Sequence, residues 1–201
     1  MNKGGKDKRN EFLKLAAAAR ACRRGPAMCD KTAVLSELNG RLDPKVLFIA
    51  EAPGRQGADR TRRPFSGDKS GANFQSLLDS IGLTREEIFI TNTVLCSPRS
   101  ATGANRKPSK KEIANCADFL IKTINLIDPK IIVTLGSVAL EALKTIEYHQ
   151  IILRTDAGQI FRWNSRRLVP LYHPSPQVIA SHRRMNQQLE DFKAVARAIE
   201  N

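Results

Sequence analysis

The hydrophobic positions of the chain form short apolar runs separated by longer helical patterns. Four runs rich in Val, Ile and Leu are each followed by a polar residue or Gly, and they lie at residues 46–50, 88–91, 131–135 and 168–172. Such runs are typical of strands that are buried on both faces, as in a parallel sheet. The segment 159–163 is a candidate for an additional edge or hairpin strand.

Helical periodicity occupies the segments between these strands. Apolar residues from Phe74 to Ile81 follow i, i+3, i+4, i+7 spacing and stop at Gly82, while Ser109 and Glu112 form a capping-box sequence at the start of a longer helix. A short helix is predicted over 137–143 and a last one over about 186–199. The alternation predicts an α/β fold, a three-layer α/β/α sandwich with a four-stranded, mainly parallel sheet.

The first ten residues differ from the rest, because they are polar and have no apolar periodicity. We expect residues 1–10 to form a disordered basic tail. The remaining residues, 11–201, are expected to form a single domain, since a chain of 201 residues can bury one sizeable core.

The formal net charge is +13, which favours an anionic partner such as nucleic acid. The chain has no apolar run of the ~18 residues that a membrane span requires, and no hydrophobic signal region near its start. We expect a cytoplasmic protein without membrane association. The lack of a G-x-G-x-x-G fingerprint argues against a nucleotide enzyme of generic doubly wound design.

The four cysteines are Cys22, Cys29, Cys96 and Cys116. In a reducing cytosol, four cysteines indicate one thiolate metal site before they indicate two disulfides. Their spacings do not match the C-x-x-C pattern of common zinc sites. Scattered buried thiols therefore remain an equally good interpretation of the spacing.

Polar residues follow three of the four predicted strands at the end where ligands bind to parallel sheets. Glu51 follows the first strand, Asn92 the second and His173 the fourth. This placement favours one shared site. The alternatives are that Asn92 caps a turn and that His173 is a hydrogen-bonded histidine of the core.

Six motifs then carry a family resemblance. They are EAPG at 51–54, RPFSGDKSG at 63–71, ITNTVLC at 90–96, NRKPSKKEIANC at 105–116, KIIVTLG at 130–136 and YHPSP at 172–176. In order and approximate spacing they resemble those of the uracil-DNA glycosylase superfamily, particularly its iron-sulfur families 4 and 5. The resemblance covers the chain from about Cys22 to the C terminus.

The chain departs from both families at the catalytic carboxylate. Family 4 usually has Gly where Ala50 stands and an acidic residue where Gly57 stands. Family 5 has an apolar residue in place of Glu51 and uses the aspartate that matches Asp68. The chain is similar to an intermediate between the two families.

The resemblance implies a monofunctional DNA repair enzyme that flips uracil out of DNA and hydrolyses its N-glycosidic bond, with other deaminated bases as further candidate substrates. It implies a 4Fe-4S cluster on Cys22, Cys29, Cys96 and Cys116, with structural zinc as the alternative. Its partner would be DNA containing uracil, and the protein a monomer in a prokaryotic cytosol that joins the nucleoid when bound to DNA. The alternative function is a catalytically weak nucleic-acid-binding iron-sulfur protein on the same fold.

The resemblance also assigns site residues by role. Asp68 would position the attacking water ahead of Glu51, with Asn105 near the same water, and His173 would donate to uracil O2. Asn92 would bind the uracil edge and Phe65 would stack on the base, unless Phe65 only fills the core. Backbone groups at Ala52 and Gly54 would complete the base pocket.

The expected DNA contacts lie in two loops and the segment after the histidine. Ser137 and Ser175 would bind flanking phosphates, and Val178 or Ile179 would be the wedge that fills the gap in the duplex. Arg183 and Arg184 would face phosphates. An equally good interpretation is that this segment is only the polar start of the last helix.

Overall fold

The computed structural model describes residues 3–25 and 32–200. Their strands form one sheet in the order β2-β1-β3-β5-β4, in which β4 alone is antiparallel to its neighbour. The strands are β1 (Val46–Ala50), β2 (Ile88–Asn92), β3 (Ile131–Leu135), β4 (Phe161–Trp163) and β5 (Arg166–Leu171). The four predicted strands are confirmed, and the candidate segment 159–163 contains the fifth strand.

The hairpin between β4 and β5 explains why the sheet has five strands. Asn164 and Ser165 connect the two strands and both have positive φ, 47° and 58°. Positive φ at both central residues is the pattern of a type I′ turn, whose twist matches that of an antiparallel pair.

Helices cover both faces of the sheet. They are α1 (Lys3–Ala21), α2 (Ala58–Thr61), α3 (Lys69–Asp79), α4 (Lys110–Ile127), α5 (Ser137–Leu143), α6 (Leu153–Asp156), α7 (Pro176–Ser181) and α8 (Met185–Glu200), with single 3₁₀ turns at Glu37–Asn39 and Arg85–Glu87. None of the helices among the described residues is long and apolar enough to cross a membrane. This arrangement confirms the predicted three-layer α/β/α fold.

The central strand divides its side chains between two hydrophobic cores. Leu47 and Ile49 pack into the core under α1, α4 and α5, while Phe48 packs into the core under α3 and α8. All five residues of β1 are buried. Burial on both faces explains why the strand is a continuous apolar run and not an alternating one.

The structure corrects the expectation of disorder in the first ten residues. Residues 3–10 belong to α1, which buries Phe12 completely and continues its periodicity to Ala16 and Ala19. Lys8 Nζ also donates to the carbonyl of Ile127 at 2.9 Å. The helix therefore extends into a polar segment because its later turns are packed on the core. Met1 and Asn2 lie outside the described residues.

The outer edge of β2 is covered by the segment that precedes β1. Gly40 forms a bridge with Phe89, and the buried Asn39 side chain donates to the carbonyl of Ile90 at 2.7 Å. A Cβ atom at position 40 would overlap the carbonyl of Ile88, and Gly40 has a φ of 133°. Only glycine fits this close approach of two backbones.

Candidate active site

A cavity of about 390 Å³ lies at the carboxyl ends of the parallel strands. Ten of the predicted residues line it: Glu51, Ala52, Gly54, Phe65, Asp68, Asn92, Asn105, His173, Ser175 and Val178. Parallel strands present their carboxyl ends at one edge of a sheet, so the loops that follow them meet there. The structure thus brings the predicted catalytic and substrate-binding residues together.

Asn92 is the last residue of β2 and lies opposite Ala50 of β1. The residue is 4% exposed, and its Nδ2 has no hydrogen-bond partner among the described residues. A buried donor without a partner costs free energy, of the order of 1–3 kcal/mol. Because Asn92 lines the cavity, this donor is available to a ligand, and a role as a turn cap is not favoured.

His173 follows β5 and is neutral at physiological pH. Burial lowers its pKa to about 4, and the nearby Asp68 carboxylate opposes this shift only in part. A neutral imidazole can donate one hydrogen bond from one ring nitrogen. The site therefore offers a neutral donor and not an imidazolium cation.

Phe65 lines the cavity and also packs against the core. Its ring stacks on Phe74 with centroids 4.4 Å apart and lies 5.4 Å from the His173 ring. Its φ is 49°, a left-handed conformation that is unusual for a bulky residue. The two interpretations of Phe65, core packing and base stacking, are therefore compatible, because the ring contacts the core and borders the cavity.

Asp68 takes the space that the absence of a side chain at Gly57 leaves open. Its Oδ1 accepts from the backbone N–H of Gly71 at 2.8 Å, which makes it the N-cap of α3. A Cβ atom at position 57 would overlap Asp68 Oδ2, whereas one at Gly54 would lie 3.6 Å from the same oxygen. A side chain at position 57 and this conformation of Asp68 therefore exclude each other.

Glu51 is the second carboxylate of the cavity, and it is half-buried at the end of β1. Burial raises its pKa, and the positive charge of Lys107 opposes that shift. Lys107 also lines the cavity but was not predicted as a site residue. It lies in the motif at 105–116, and no periodicity distinguishes it from the surface lysines of α4.

Asn105 lies in a loop that lines the cavity, on the same side as Asp68. Its Oδ1 accepts from the backbone N–H of Arg55 at 3.0 Å, and it forms a bridge with Arg99. Arg106 fixes the end of the loop through two bonds to Glu112, at 2.8 and 2.6 Å. These contacts leave the Asn105 amide nitrogen near Gly54.

Of the predicted DNA-contacting residues, Ser175 and Val178 line the cavity. Ser175 caps α7 by accepting from the N–H of Val178 at 3.4 Å, and Val178 and Ile179 are both half-buried on this short helix. Ser137 is exposed at the start of α5 and does not line the cavity. Gln177, which was not predicted, lines it next to Val178.

The two predicted arginines have different surroundings. Arg183 donates twice to the buried Asp191, at 2.9 and 2.6 Å, so its guanidinium is bound within the protein. This pairing favours the structural interpretation of Arg183 over a phosphate contact. Arg184 is exposed, and its backbone N–H donates to Gln187 at the start of α8.

Three of the four cysteines surround a second, smaller pocket. Cys22 from the end of α1, Cys96 from the segment after β2 and Cys116 from α4 line it, and all three are half-buried. Burial, with Cys116 and Cys22 as further causes, raises the pKa of Cys96 to about 12. Cys29 lies outside the described residues.

Thiolates bind both single metal ions and multi-iron groups. Within residues 3–25 and 32–200, no three His, Cys, Asp or Glu side chains are placed to hold a metal ion. Three cysteines around one pocket nevertheless fit a multi-iron group, since such a group is wider than one ion and takes thiolate ligands.

Comparison with known proteins agrees with this geometry. The model of the family described as the uracil DNA glycosylase superfamily matches residues 39–198. The chain is 31% identical to the type-4 uracil-DNA glycosylase of Thermotoga maritima over 169 residues, 83% of each protein. It is 31% identical to the type-4 enzyme of Archaeoglobus fulgidus over 161 residues, 78% of this chain and 77% of that protein.

A type-5 relative matches as well, as the mixture of motifs predicts. The type-5 uracil-DNA glycosylase of Pyrobaculum aerophilum is 28% identical over 154 residues, 68% of this chain and 64% of that protein. The family model covers most of the chain, including every strand of the sheet and all of the cavity residues. The chain belongs to the uracil-DNA glycosylase superfamily.

Proposed function

We propose that this protein is a DNA repair enzyme that flips uracil out of DNA and hydrolyses its N-glycosidic bond, leaving an abasic site and an intact strand. The observation that carries the proposal is the unpartnered Nδ2 of Asn92, buried in a cavity beside the neutral His173. The names of the relatives, uracil-DNA glycosylases of types 4 and 5, support it. They do not favour the alternative of a catalytically weak nucleic-acid-binding protein.

Asn92 distinguishes uracil from cytosine. Its amide nitrogen donates to a uracil carbonyl oxygen and its amide oxygen accepts from the ring N–H. Cytosine presents the reverse pattern on this edge, so both groups of Asn92 would remain unpaired. Phe65 stacks on the flipped ring, and this contact offsets part of the few kcal/mol that unstacking costs. The backbone at Ala52 and Gly54 lines the pocket around the base.

The bond between deoxyribose C1′ and uracil N1 breaks with both electrons going to the base. Negative charge then accumulates on uracil. The N–H of the neutral His173 donates a hydrogen bond to uracil O2 and stabilises this charge. Positive charge accumulates on the sugar, where a carboxylate stabilises it. The water oxygen attacks C1′, and the carboxylate that orients the water accepts its proton.

Asp68 is the carboxylate that we assign to this water. It lies near Gly54 and Asn105 and lines the cavity. The raised pKa of Glu51 disfavours its charged form and suits it better to lining the base pocket. Asn105 donates to the same water from its amide nitrogen.

DNA approaches the cavity across the surface formed by α5 and α7. Ser137 and Ser175 bind flanking phosphates, and Val178 or Ile179 enters the duplex in place of the flipped base. Arg184 contributes to the positive surface that attracts the backbone. The partner is DNA containing uracil, and the cytoplasmic location, association with the nucleoid and monomeric state are parts of the same proposal.

Cys22, Cys96 and Cys116, together with Cys29, would hold a 4Fe-4S cluster. When bound, such a group supplies a cross-link between segments that are distant in sequence, and hydrolysis of the glycosidic bond requires no electron transfer. Asp59 lies near both regions, because its charge acts on the Cys96 thiol and it follows Ala58, which lines the substrate cavity. Visible absorbance of the purified protein and its iron and zinc content would distinguish a cluster from zinc.

The proposal is tested by base release from single-stranded and double-stranded oligonucleotides that carry one uracil, with alkali used to cut abasic sites. The variants Asp68→Asn, Glu51→Gln and His173→Ala are assayed beside the wild type. We expect cleavage at uracil that Asp68→Asn loses most completely. Tight DNA binding by the wild type without release of any base would overturn the proposal in favour of the binding protein.

A further inference from the structure

The loop that carries Phe65 is fixed by an arginine that lies outside the cavity. Arg85 is the first residue of the 3₁₀ turn before β2 and is half-buried. Its Nη1 donates to the carbonyl of Pro64 at 2.9 Å, and its Nη2 donates to the carbonyl of Phe65 at 2.6 Å. One guanidinium therefore binds two consecutive carbonyl groups of this loop.

These two carbonyls belong to the peptide planes on either side of the Phe65 Cα. The φ and ψ angles of Phe65 define the relative orientation of those planes, so a rigid, planar fork that binds both of them fixes both angles. Phe65 has a φ of 49°, in the left-handed region that a bulky side chain rarely adopts. The contact with Arg85 thus stabilises a conformation that the loop would not favour by itself.

Arg85 also supports the ring on which Phe65 stacks. Its guanidinium carbon lies 5.1 Å from the centroid of the Phe74 ring, and Phe74 lies 4.4 Å from the Phe65 ring. Its Nε donates to Gln75 on the same helix at 3.1 Å. Arg85 therefore binds both the backbone of Phe65 and the helix beneath its ring.

The loop that carries Phe65 packs closely against the start of α3. A Cβ atom at Gly71 would lie 2.5 Å from the carbonyl oxygen of Phe65, so the loop can pack this closely on α3 only with glycine at this position.

Burial, together with the nearby Arg63, lowers the pKa of Arg85 to about 10. Arg85 is therefore still charged at neutral pH and able to donate from all three nitrogens.

We propose that Arg85 is a positioning residue, which holds Phe65 as a preformed platform for the flipped base. The proposal rests on the stacking role of Phe65 under the proposed function. A preformed platform reduces the ordering cost of base binding, so loss of the fork weakens binding of the base. Lysine cannot replace Arg85, because its single ammonium group lacks the planar fork that aligns two neighbouring carbonyls.

The test measures the inhibition of uracil release by free uracil, together with kcat and KM on a single-stranded oligonucleotide. The variants are Arg85→Lys, Phe65→Ala and the double variant. Arg167→Lys is the matched control, since Arg167 is also half-buried and donates to a backbone carbonyl, that of Ala198 at 2.6 Å, away from the cavity. Melting curves of all variants report folding.

We expect Arg85→Lys to raise the inhibition constant of uracil about fivefold to tenfold, a part of the effect of losing a stacked base. Arg167→Lys should leave that constant within about twofold of wild type. The double variant should be no weaker than Phe65→Ala alone, because Arg85 acts through the Phe65 ring. An effect on the inhibition constant of uracil that persists in full in the Phe65→Ala background would overturn the proposal, and a persistent effect confined to KM for the oligonucleotide would favour a direct contact of Arg85 with DNA phosphate.

Two further comparisons separate the possible failures. If Phe65→Ala leaves the inhibition constant unchanged, the stacking role within the proposed function is wrong; if only Arg85→Lys leaves it unchanged, the positioning role is wrong. Gln75→Ala removes the acceptor of Arg85 Nε without changing the loop. This variant replaces Arg85→Lys in the test if Arg85→Lys does not fold. Gln75→Ala should raise the inhibition constant of uracil about twofold to threefold. An unchanged inhibition constant would contradict the proposal.

Discussion

The substrate cavity and the cysteine pocket are built in opposite ways. The cavity is lined by residues at the ends of regular strands, and within the part of the chain that the structure describes it leaves a buried polar group, Asn92 Nδ2, without a partner. The cysteine pocket is formed by the end of α1, an irregular segment and α4, and its three described thiols are half-buried. The substrate cavity lowers the stability of the fold and leaves a group free to bind substrate, whereas the cysteine pocket holds segments together that are distant in sequence. Function and stability should therefore separate when each region is changed.

Replacement of Asn92 with Leu should break activity while sparing the fold. Removal of a well-placed donor from an active site typically costs about 100-fold to 1,000-fold in rate. The change also removes an unsatisfied buried group, so the melting temperature should not fall by more than a few degrees. Steady-state kinetics and thermal unfolding would measure the two effects.

Thr91 provides the control for Asn92. It is the preceding residue of β2 and is fully buried. Its side-chain oxygen also has no hydrogen-bond partner in residues 3–25 and 32–200, but it does not line the cavity. Thr91→Val should leave kcat/KM within about twofold of wild type. A loss comparable with that of Asn92→Leu would mean that the strand and not the amide is responsible.

Replacement of Cys96 with Ala should give the reverse pattern. We expect a loss of about 2–3 kcal/mol in the free energy of unfolding, which corresponds to a fall of about 5–10 °C in Tm for a chain of this size. Single-turnover rates per folded molecule should stay within about threefold of wild type. Normal melting with lost catalysis would contradict the division between the two regions.

Replacement of Gly57 with Ala should sharpen the comparison within the cavity. The new Cβ would overlap Asp68 Oδ2, and a displacement of about 1 Å in a catalytic group can cost up to about 100-fold in rate. We expect kcat to fall about 10-fold to 100-fold with a smaller change in KM. Gly5→Ala is the control, because a Cβ atom there has no neighbour within 4 Å.

The smallest expected effect is the pH dependence of stability that His173 contributes. Its folded pKa is about 4, below the ordinary value of 6.5, so the unfolded chain binds more protons between these values. Stability is therefore complete above pH ~6.5 and decreases as the pH falls towards ~4. Urea unfolding across this range should show a shallower decrease in His173→Gln, and parallel curves would contradict the assignment.

Local signals in the sequence predicted the framework well. The strands β1 and β3, the helix α5 and the capping box at Ser109 lie where the pattern places them, because each depends on residues within a few positions of one another. The convergence of Glu51, Asn92 and His173 followed from the topology of a parallel sheet.

Contacts between different elements of the fold were not predictable in the same way. Three features depend on how whole elements meet. They are the pairing of Arg183 with Asp191, the hydrogen bond from Arg85 to the carbonyl of Phe65 and the packing that extends α1 towards residue 3. Periodicity reports which face of an element is buried, and it does not report which arginine reaches which carbonyl.

The covered edge of β2 has a consequence for handling the protein at high concentration. A long, uncovered edge strand is a template on which another chain can add, and this is a common route to aggregation. Gly40 and Asn39 occupy that edge, while the opposite edge is the three-residue β4. A side chain at position 40 would push the covering segment away, so Gly40→Val should precipitate during concentration well before its base-excision chemistry is affected.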